Sequence, residues 1–399
     1  MTTKNILNLD NMKHTNRMLV LDMLLQNGAM SRVDITRELK CDGTTITHII
    51  RDLSRQGLVR SAGMAEPSGG RPKELIALDP DSRQAIGISF EPPYVTGIIT
   101  GLTGKINFCE KIYLSVDISS GELVDIIKKL TGNLISRTER KKLLGIGLTT
   151  FGLLSPEENK VINSNYFPAI KDIPFIDIFM KEFDLVPSII DNAYAKAIAE
   201  INFSETVRSG EMRNFILLDI GVGLVLLNIC RGVPVLGSGG YVGEFGHIII
   251  NPEGKKCYCG RKGCLETQCS IPAIEREVSA VLKNISFDKI VSLYKQGEKR
   301  VEKIVNNSAM ILGNVTGNML TVLPTDEIIF TGRLLEFGDK YLAVLEEGIR
   351  KTAFPLFMKK TRMLKSRNPE ENAALGACSI ILNSFFEGNS PDLKDSRQS

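Results

Sequence analysis

The sequence predicts an α/β protein in which a small helical module precedes a larger domain of two lobes. Short amphipathic helices and a hairpin occupy residues 1–80, and from residue 81 onwards apolar strands alternate with helices. A histidine and three cysteines crowd into the middle of the chain, which predicts a metal-binding loop within the larger domain. Because 399 residues exceed what a single hydrophobic core usually supports, we expect two or three domains.

The composition is that of a protein without a strong overall charge. Charged residues make up 24% of the chain and the net charge is only +3, so any site for nucleic acid must be local. No early apolar run follows a basic segment, and no uncharged stretch is long enough to span a membrane. The cysteines outside the central cluster are scattered, which is typical of reduced residues: Cys41, Cys109, Cys230, Cys269 and Cys378. The sequence therefore predicts a cytoplasmic protein with no membrane partner.

The first 80 residues carry the pattern of a helix-turn-helix. Apolar residues at helical spacing predict a first helix over residues 16–26, ending at Asn27-Gly28. Ser31 is placed to cap a second helix that continues through Leu39, with Asp34 in its first turn. After a turn containing Gly43, a third helix opens. The apolar face of the first helix is predicted to point inwards and consists of Met18, Leu19, Leu21, Leu24 and Leu25. The third helix buries Ile46, Ile49, Ile50 and Leu53.

The third helix is the one expected to enter the major groove of DNA. Its outward side chains could reach bases or phosphates: Thr44, Thr45, Thr47, His48, Arg51 and Arg55. A hairpin follows, and its tip over residues 65–73 contains Gly-Gly-Arg-Pro, a slim wing from which Arg71 could reach into a minor groove. A three-helix packing module has a similar helical pattern, but the wing favours DNA binding. We therefore assign residues 1–80 to a winged helix-turn-helix.

Beyond residue 80 the chain reads as two strand-rich halves. The first half is predicted to hold strands 84–90, 95–102, 107–115 and 143–150, with a helix over 121–137. The second is predicted to hold strands 215–220, 224–230 and 327–330, with a long helix over 301–323. The 143–150 run is continuously apolar, as in a strand buried on both faces. We expect lobes over 81–199 and 200–385, a C-terminal helix over 372–385 that packs back on the first lobe, and a loose tail over 386–399.

The central cluster has the donors of a zinc site. Imidazole and thiolates at this short spacing suit tetrahedral Zn²⁺, and four filled positions leave no open position for water, so the metal is predicted to be structural. Free buried thiols with a core histidine are the alternative, but three cysteines within eight residues rarely arise from packing. Two carboxylates, Glu244 and Glu266, bracket the loop and could hold the hydroxyls of a polar ligand. The predicted ligands are His247, Cys257, Cys259 and Cys264.

The pattern Gly-Glu-x-Gly-His followed by Cys-x-Cys-Gly-x-x-Gly-Cys-Leu-Glu resembles the ROK family of sugar kinases and sugar-responsive repressors. The resemblance extends from about residue 83 to about 385, and the preceding segment is similar to the family's repressor branch, whose members respond to sugars such as xylose, N-acetylglucosamine or glucose. It implies a two-lobed actin-like ATPase fold of the sugar-kinase type with a zinc loop. It also implies that Glu244, His247 and Glu266 contact a sugar, with His247 using one ring nitrogen for zinc.

The phosphate-binding loops of the kinases are altered. ROK kinases hold phosphate with Asp-x-Gly-Gly-Thr, and the matching residues here are Ser89-Phe90-Glu91-Pro92-Pro93. Proline offers no N–H, and Glu91 places negative charge beside an anion. A second loop is partly retained over 219–223, whereas the Gly-Gly pair on the nucleotide side has become Gly332-Arg333.

The position of the catalytic base is altered as well. The family's Asn-Asp-Ala-x-Ala matches residues 191–195, so the catalytic aspartate is replaced by Asn192, whose amide cannot accept a proton at neutral pH. Asp191 would be the base if the register shifted by one residue. Both Asp191 and Asn192 could still hydrogen-bond a sugar, as could Asn165. We expect no kinase activity.

These observations together predict a ROK repressor. A homodimer or homotetramer would bind a palindromic operator, and a sugar or sugar phosphate in the cleft would change the spacing of the DNA-binding modules. An active sugar kinase with an appended DNA-binding module is one alternative. A repressor controlled by a phosphotransferase-system protein is another, and the sequence does not distinguish repression from activation.

Overall fold

The computed structural model describes most of the chain. The described residues are 9–66, 72–115, 117–151, 153–155, 160–163, 169–204, 212–237, 243–283 and 285–388. Arg71 of the predicted wing tip and Asn165 of the predicted sugar site lie outside these ranges, as does most of the predicted tail.

The N-terminal module consists of three helices and a small sheet. Its elements are α1 (Leu9–Asn27), β1 (Met30–Ser31), α2 (Arg32–Leu39), α3 (Gly43–Arg55), β2 (Val59–Met64) and β3 (Glu74–Leu78), and the strand order is β1-β3-β2. The Ser31 side chain caps α2 as predicted, accepting from the Asp34 amide at 3.2 Å. Asp42 caps α3 in the same way, accepting from the Thr45 amide at 3.1 Å.

Two details of this module differ from the prediction. The first helix begins at Leu9, seven residues earlier than the apolar spacing indicated. Leu19 is 46% exposed, whereas Met18, Leu21 and Leu24 are buried as expected. The reason is geometric, because a residue next to the apolar stripe lies about 100° away from it around the helix.

The first lobe is built on a five-stranded sheet of order β11-β7-β4-β5-β6. Its strands are β4 (Gln84–Glu91), β5 (Tyr94–Gly101), β6 (Ile106–Tyr113), β7 (Leu143–Thr150) and β11 (Ser188–Asp191). A small antiparallel sheet is formed by β8 (Leu153–Ser155), β9 (Lys160–Asn163) and β10 (Lys171–Ile173). The helices are α4 (Ser120–Ser136), α5 (Phe175–Phe183) and α6 (Asn192–Phe203). The continuously apolar β7 lies between β4 and β11 and is parallel to both, as its composition predicted.

The second lobe repeats this plan with a sheet of order β14-β13-β12-β15-β16. Its strands are β12 (Phe215–Ile220), β13 (Leu224–Cys230), β14 (Val233–Pro234), β15 (Glu327–Thr331) and β16 (Arg362–Lys365). Its helices are α7 (Glu266–Cys269), α8 (Ile271–Ser279), α9 (Phe287–Lys295), α10 (Lys299–Val322), α11 (Asp339–Thr352) and α12 (Pro355–Met358). In each lobe the first strand is central, pairs antiparallel with the second strand and parallel with the fourth. The two lobes thus share one topology and face each other across a cleft.

The last helix, α13 (Asn372–Phe386), returns to the first lobe and packs against α6, β4 and β7. The core of the N-terminal module is continuous with this packing, because Ile46 and Leu53 belong to the same buried cluster as Leu382 and Phe385. The N-terminal module is therefore seated on the first lobe through α13.

Among the described helices, none combines the length and the apolar character needed to cross a bilayer.

Candidate ligand cleft and metal centre

The four predicted metal ligands lie together at the edge of the cleft. The donor atoms of His247, Cys257, Cys259 and Cys264 all lie within 4.8 Å of one another. The Cys257 sulfur is 3.6 Å from His247 Nδ1, and the sulfurs of Cys259 and Cys264 are 3.6 Å apart. Tetrahedral zinc with a Zn–S bond of about 2.3 Å and a Zn–N bond of about 2.0 Å requires ligand atoms about 3.5 to 3.8 Å apart. The donor set and its spacing therefore fit a divalent metal ion with four protein ligands.

The loop that carries these cysteines is folded back on itself. Short bridges pair Ile249 with Cys264 and Lys256 with Lys262. Gly263 has φ of +73°, and a Cβ atom there would lie 1.5 Å from the Asn251 carbonyl oxygen, so only glycine fits. The Arg261 guanidinium donates to the His247 carbonyl at 3.1 Å and ties the two ends of the site together.

The second ring nitrogen of His247 faces away from the cysteines. His247 Nε2 lies 2.9 Å from the Tyr258 hydroxyl and 3.6 Å from a Glu244 carboxylate oxygen. Nδ1 therefore faces a cysteine of the cluster and Nε2 faces the cleft. The family resemblance implied this arrangement, with one ring nitrogen for the metal and the other for the ligand. Tyr258 was missed by the sequence reasoning. Its position between two cysteine ligands was the available signal, because a loop that fixes its neighbours also fixes its side chain.

A cleft of about 870 Å³ lies between the lobes, and most of the predicted sugar-binding residues line it. Asp191 and Asn192 come from the first lobe, at the junction of β11 and α6, while Glu244, His247 and Glu266 come from the second. The structure therefore brings together five of the six predicted sugar-binding residues, the sixth being Asn165.

The carboxylates of the cleft influence one another. Burial raises the pKa of Glu266 to about 7, and the nearby Glu244 charge adds to the shift. Burial likewise raises the pKa of Glu244, with the Asp191 charge as a further cause. Burial also raises the pKa of Asp191, although its Oδ1 accepts from the amides of Ala193 and Tyr194 at 2.8 and 3.1 Å and caps α6. The cleft is thus lined by acids that are close enough to repel each other.

Asn192 is buried, and its amide nitrogen and its amide oxygen each form a hydrogen bond within the first lobe. Its Nδ2 donates to the Phe90 carbonyl at 3.0 Å, and its Oδ1 accepts from the Thr149 hydroxyl. An aspartate here could not donate to that carbonyl, so the local structure suits the amide. This residue joins β4, β7 and α6 at the floor of the cleft.

A buried ion-pair triad lies beside Asn192 and was not predicted from the sequence. Lys196 is fully buried, and its ammonium donates to Glu91 at 2.6 Å and to both oxygens of Asp219 at 2.8 and 3.0 Å. Burial lowers the pKa of Lys196, but the charges of Asp219 and Glu91 outweigh this effect and raise the pKa above its ordinary value. The lysine is therefore charged. Glu91 ends β4 in the first lobe and Asp219 lies on β12 in the second, so Lys196 joins the two lobes. A lone lysine four residues after Asn192, in a helix otherwise rich in alanine, was the signal in the sequence.

The altered nucleotide-side residues lie around a second cavity of about 380 Å³. Glu91 lines both this cavity and the larger cleft, so its side chain lies between them. A Cβ atom at Gly332 would lie 2.5 Å from Asp219 Oδ1, so a larger residue there would clash. Arg333, which follows it, pairs with Asp288 and Glu336 at 2.7 Å each.

The predicted DNA-contacting residues of α3 all face solvent on one side of the N-terminal module. The exposed set is Thr44, Thr45, Thr47, His48, Arg51 and Arg55. Arg51 contacts the His48 ring at 2.6 Å, and Arg55 lies 3.8 Å from Asp52, so both guanidinium groups remain at the surface. The opposite face of α3 is buried through Ile46, Ile49, Ile50 and Leu53.

Comparison with known proteins gives a consistent result. The model of the ROK family matches residues 86–384. The chain is 25% identical to the xylose repressor of Caldicellulosiruptor bescii, over 94% of this chain and 97% of that protein. It is 24% identical to the DNA-binding transcriptional dual regulator NagC of Escherichia coli, over 96% of this chain and 95% of that protein.

Solved structures show the same fold. A ROK family transcriptional regulator described as a homologue of the E. coli MLC protein superposes with a TM-score of 0.76 at 24% identity, covering 94% of this chain and 97% of its own. The ROK hexokinase of Thermus thermophilus superposes with a TM-score of 0.60 at 19% identity, covering 77% of this chain and 99% of its own. The expected two-lobed fold of the sugar-kinase type is therefore confirmed.

Proposed function

Because the chain belongs to the ROK family, we propose that it is a sugar-responsive transcriptional repressor without kinase activity. The observation that carries the proposal is the union in one chain of an acid-lined interlobe cleft with an N-terminal module that presents an exposed polar helix. The similarity to a xylose repressor and to NagC, over nearly the whole of each chain, supports it.

The DNA-binding part of the proposal concerns residues 1–80. Helix α3 would lie in the major groove, with Thr44, Thr45, Thr47 and His48 near base edges and the two arginines on phosphates or guanines. The hairpin between β2 and β3 would form the wing, and Arg71 at its tip would enter a minor groove. A dimer or a dimer of dimers would place two such modules on a palindromic operator.

The effector part concerns the cleft. Glu244, His247, Glu266, Asp191 and Asn192 would hold a sugar, and Asn165 is proposed as a further contact. A sugar releases DNA only if it binds one arrangement of the lobes better than the other, and the coupling is reciprocal. We propose a first lobe over 81–199 and a second over 200–385, with the ligand between them.

The metal of the proposal is Zn²⁺ in a structural role. His247, Cys257, Cys259 and Cys264 would fill all four positions, so the ion itself would do no chemistry on the ligand. Its effect would be to fix the loop from which His247, Tyr258 and Glu266 face the cleft.

The absence of kinase activity is proposed on three features of the cleft. Asn192 cannot act as a base, and its amide is already used within the first lobe. Glu91 occupies the position where a phosphate cradle needs bare backbone. Arg333 is paired with acids at the nucleotide side. Phosphoryl transfer needs a phosphate-binding loop, a metal ion and a positioned base. The three features argue against a working loop and a working base.

A thermal-shift screen tests the proposal directly. Purified zinc-loaded protein is heated with free and phosphorylated sugars, and separately with ATP. A ligand at 100 times its dissociation constant stabilises a folded protein by about 2.7 kcal/mol. Stabilisation by a sugar, with none by ATP, supports the proposed sensor. Stabilisation by ATP supports an active kinase instead, and a protein effector such as a phosphotransferase component is indicated if no sugar has an effect.

A further inference from the structure

Tyr258 lies at the cleft, among the groups that we propose to contact the sugar. It is placed between two of the candidate metal ligands, Cys257 and Cys259. Its side chain lines the cleft together with His247 and Glu266. The residue is 54% exposed, so it lies on the solvent side of the loop and is not part of a hydrophobic core.

The Tyr258 hydroxyl bridges two of these groups. It lies 2.9 Å from His247 Nε2, and the two rings meet edge to face with their centroids 5.1 Å apart. It is also hydrogen-bonded to the Glu266 side chain. Burial raises the pKa of Glu266, and this hydrogen bond opposes the shift. A Glu244 carboxylate oxygen is 3.6 Å from Nε2, which is too long for a hydrogen bond, so among the described residues Tyr258 is the partner of this nitrogen.

The direction of the two hydrogen bonds follows from the chemistry of the groups. With the proposed zinc on Nδ1, the ring of His247 is neutral and its proton lies on Nε2. Nε2–H then donates to the phenolic oxygen of Tyr258, and the phenolic O–H donates to Glu266. A sugar hydroxyl placed between the same two side chains would accept and donate in the same way. The phenol and a sugar hydroxyl cannot occupy this position together.

From this geometry we infer that Tyr258 competes with the sugar. In the ligand-free protein its hydroxyl occupies the position of a sugar hydroxyl between His247 and Glu266, and the sugar binds by displacing it. The displacement needs only a rotation of the side chain, because the residue is exposed and the flanking cysteines hold the backbone. The inference rests on the proposed function, since it requires that the sugar contacts His247 and Glu266.

The competition sets the sugar concentration to which the protein responds. When only a fraction of the molecules has an open site, the apparent dissociation constant is the intrinsic constant divided by that fraction. The net strength of an ordinary hydrogen bond in a protein corresponds to about tenfold in an equilibrium constant, so about a tenth of the molecules would be open. Removal of the hydroxyl should therefore tighten sugar binding about tenfold.

The Tyr258→Phe substitution tests the inference, because it removes the hydroxyl and keeps the ring. Zinc-loaded full-length wild type and variant are titrated calorimetrically with xylose, glucose, N-acetylglucosamine and their phosphate esters. A sugar that binds the wild type is expected to bind the variant about tenfold more tightly, and a sugar that binds only the variant gives the same support.

The other outcomes of the titration separate the inference from the proposed function. Weaker binding by the variant would show that the hydroxyl is itself a sugar contact, and unchanged binding would show that it does not obstruct the sugar. Either result overturns the inference and leaves the sensor proposal standing. If no compound of the panel binds either protein, the sugar-sensing proposal fails and the inference fails with it.

Tyr113→Phe is the matched control. This tyrosine ends β6, is 63% exposed and is not among the residues that line the cleft. Its substitution should leave the sugar affinity unchanged. The zinc content of the two variants should equal that of the wild type, which shows that a change in affinity does not come from loss of the metal.

The contact itself is tested by NMR of protein labelled with ¹⁵N in its histidine rings. The chain has three histidines, so the spectrum is simple. The Nε2–H signal of His247 should be protected from exchange in the ligand-free wild type and lose this protection in Tyr258→Phe. A saturating sugar should shift the signal in the wild type. Identical Nε2–H signals in the two ligand-free proteins would contradict the contact and overturn the inference.

Discussion

At the residue scale, Asn192 shows how one change of functional group alters what a position can do. The amide donates to the Phe90 carbonyl and accepts from Thr149, which a carboxylate could not do in both directions. The sequence shows that this residue is an amide, which cannot act as a base at neutral pH. Its burial and its two partners could not be predicted, because they depend on how β4 and β7 meet α6.

Introducing a carboxylate at this position is not expected to produce kinase activity. Asn192→Asp would place an acid against the Phe90 carbonyl and remove a buried hydrogen bond, which destabilises a protein by about 0.5 to 1.5 kcal/mol. Glu91 and Arg333 would still obstruct the phosphate path. A coupled ADP-release assay across common hexoses should detect no turnover. Turnover above the wild-type background would show that the base was the only missing part.

The metal loop gives a second prediction at this scale. Cys259→Ser should remove most of the zinc that we propose at this cluster, lower the melting temperature and weaken sugar binding, because the loop that carries Tyr258 and Glu266 loses a metal ligand. Elemental analysis, thermal unfolding and titration with the effector measure the three effects. Cys230→Ser is the control, since this thiol is exposed and lies outside the cluster. A zinc-depleted variant with normal sugar binding would rule out the positioning role.

At the scale of elements, α3 presents its arginines to solvent. Arg51→Ala should weaken operator binding and reduce the slope of log affinity against log salt by about 1 if the residue contacts a phosphate. If it contacts a guanine instead, the loss should be about 1 to 3 kcal/mol and confined to one base position. Arg300→Ala, an exposed change on α10 of the second lobe, serves as the control. Normal affinity in the Arg51 variant would mean that α3 is not the recognition helix.

Helix α6 carries the cation that joins the lobes. Lys196→Met should destabilise the protein by about 3 to 5 kcal/mol, because two partly buried carboxylates lose the buried cation that they share. Urea unfolding measures the loss. The matched control is Lys128→Met, which breaks a surface pair with Glu182 and should change the stability far less, because solvent screens an exposed pair.

The loss should depend on pH with a defined sign. Burial raises the folded-state pKa of Glu91 above its ordinary value, and the Asp219 charge adds to this. A raised acid pKa contributes stability that is present at low pH and lost as the pH rises through the folded-state pKa. Removing Lys196 raises the pKa of Glu91 further, so the Lys196→Met substitution should lower the free energy of unfolding less at pH 5 than at pH 8. An equal loss at both values would contradict the assignment of ionised partners.

Elements with a strong period could be predicted closely from the sequence. The strands Leu143–Thr150, Phe215–Ile220 and Leu224–Cys230 were predicted with the observed bounds. The start of α1 was missed because residues before the apolar stripe give no periodic signal. The cluster of His247, Cys257, Cys259 and Cys264 could be predicted because its residues are close in sequence. The Lys196 triad could not be predicted, because Glu91 and Asp219 lie 105 and 23 residues from Lys196 along the sequence.

At the scale of the whole molecule, α6 connects the cleft to the N-terminal module. Its first residues, Asn192 and Ala193, line the cleft, and its last, Asn202 and Phe203, share a cavity with Asp22 of α1. A helix of 12 residues spans about 18 Å. A displacement of one end of this helix would therefore displace the other end.

The contact between α6 and α13 offers a test of this coupling. Asn202 donates to Asn383 at 2.8 Å, and α13 shares its core with the N-terminal module. Asn202→Ala should leave the sugar affinity within about twofold of wild type. It should reduce the factor by which sugar changes the DNA affinity, because the contact between α6 and α13 is lost. Coupling free energies between two sites are typically about 1 to 3 kcal/mol. Anisotropy titrations with and without sugar measure it. Asn133→Ala on α4 is the control, and unchanged coupling in the Asn202 variant would exclude this route.

The central claim is that one molecule binds DNA and releases it in response to a sugar. The measurement that tests it most directly is sequencing of sheared genomic DNA captured by the purified zinc-loaded protein, repeated in the presence of each sugar of the panel. The account predicts that a few palindromic sites are enriched and that one sugar of the panel abolishes their capture. Enrichment without any response to sugars would contradict the sensor, and a lack of specific enrichment would contradict the repressor.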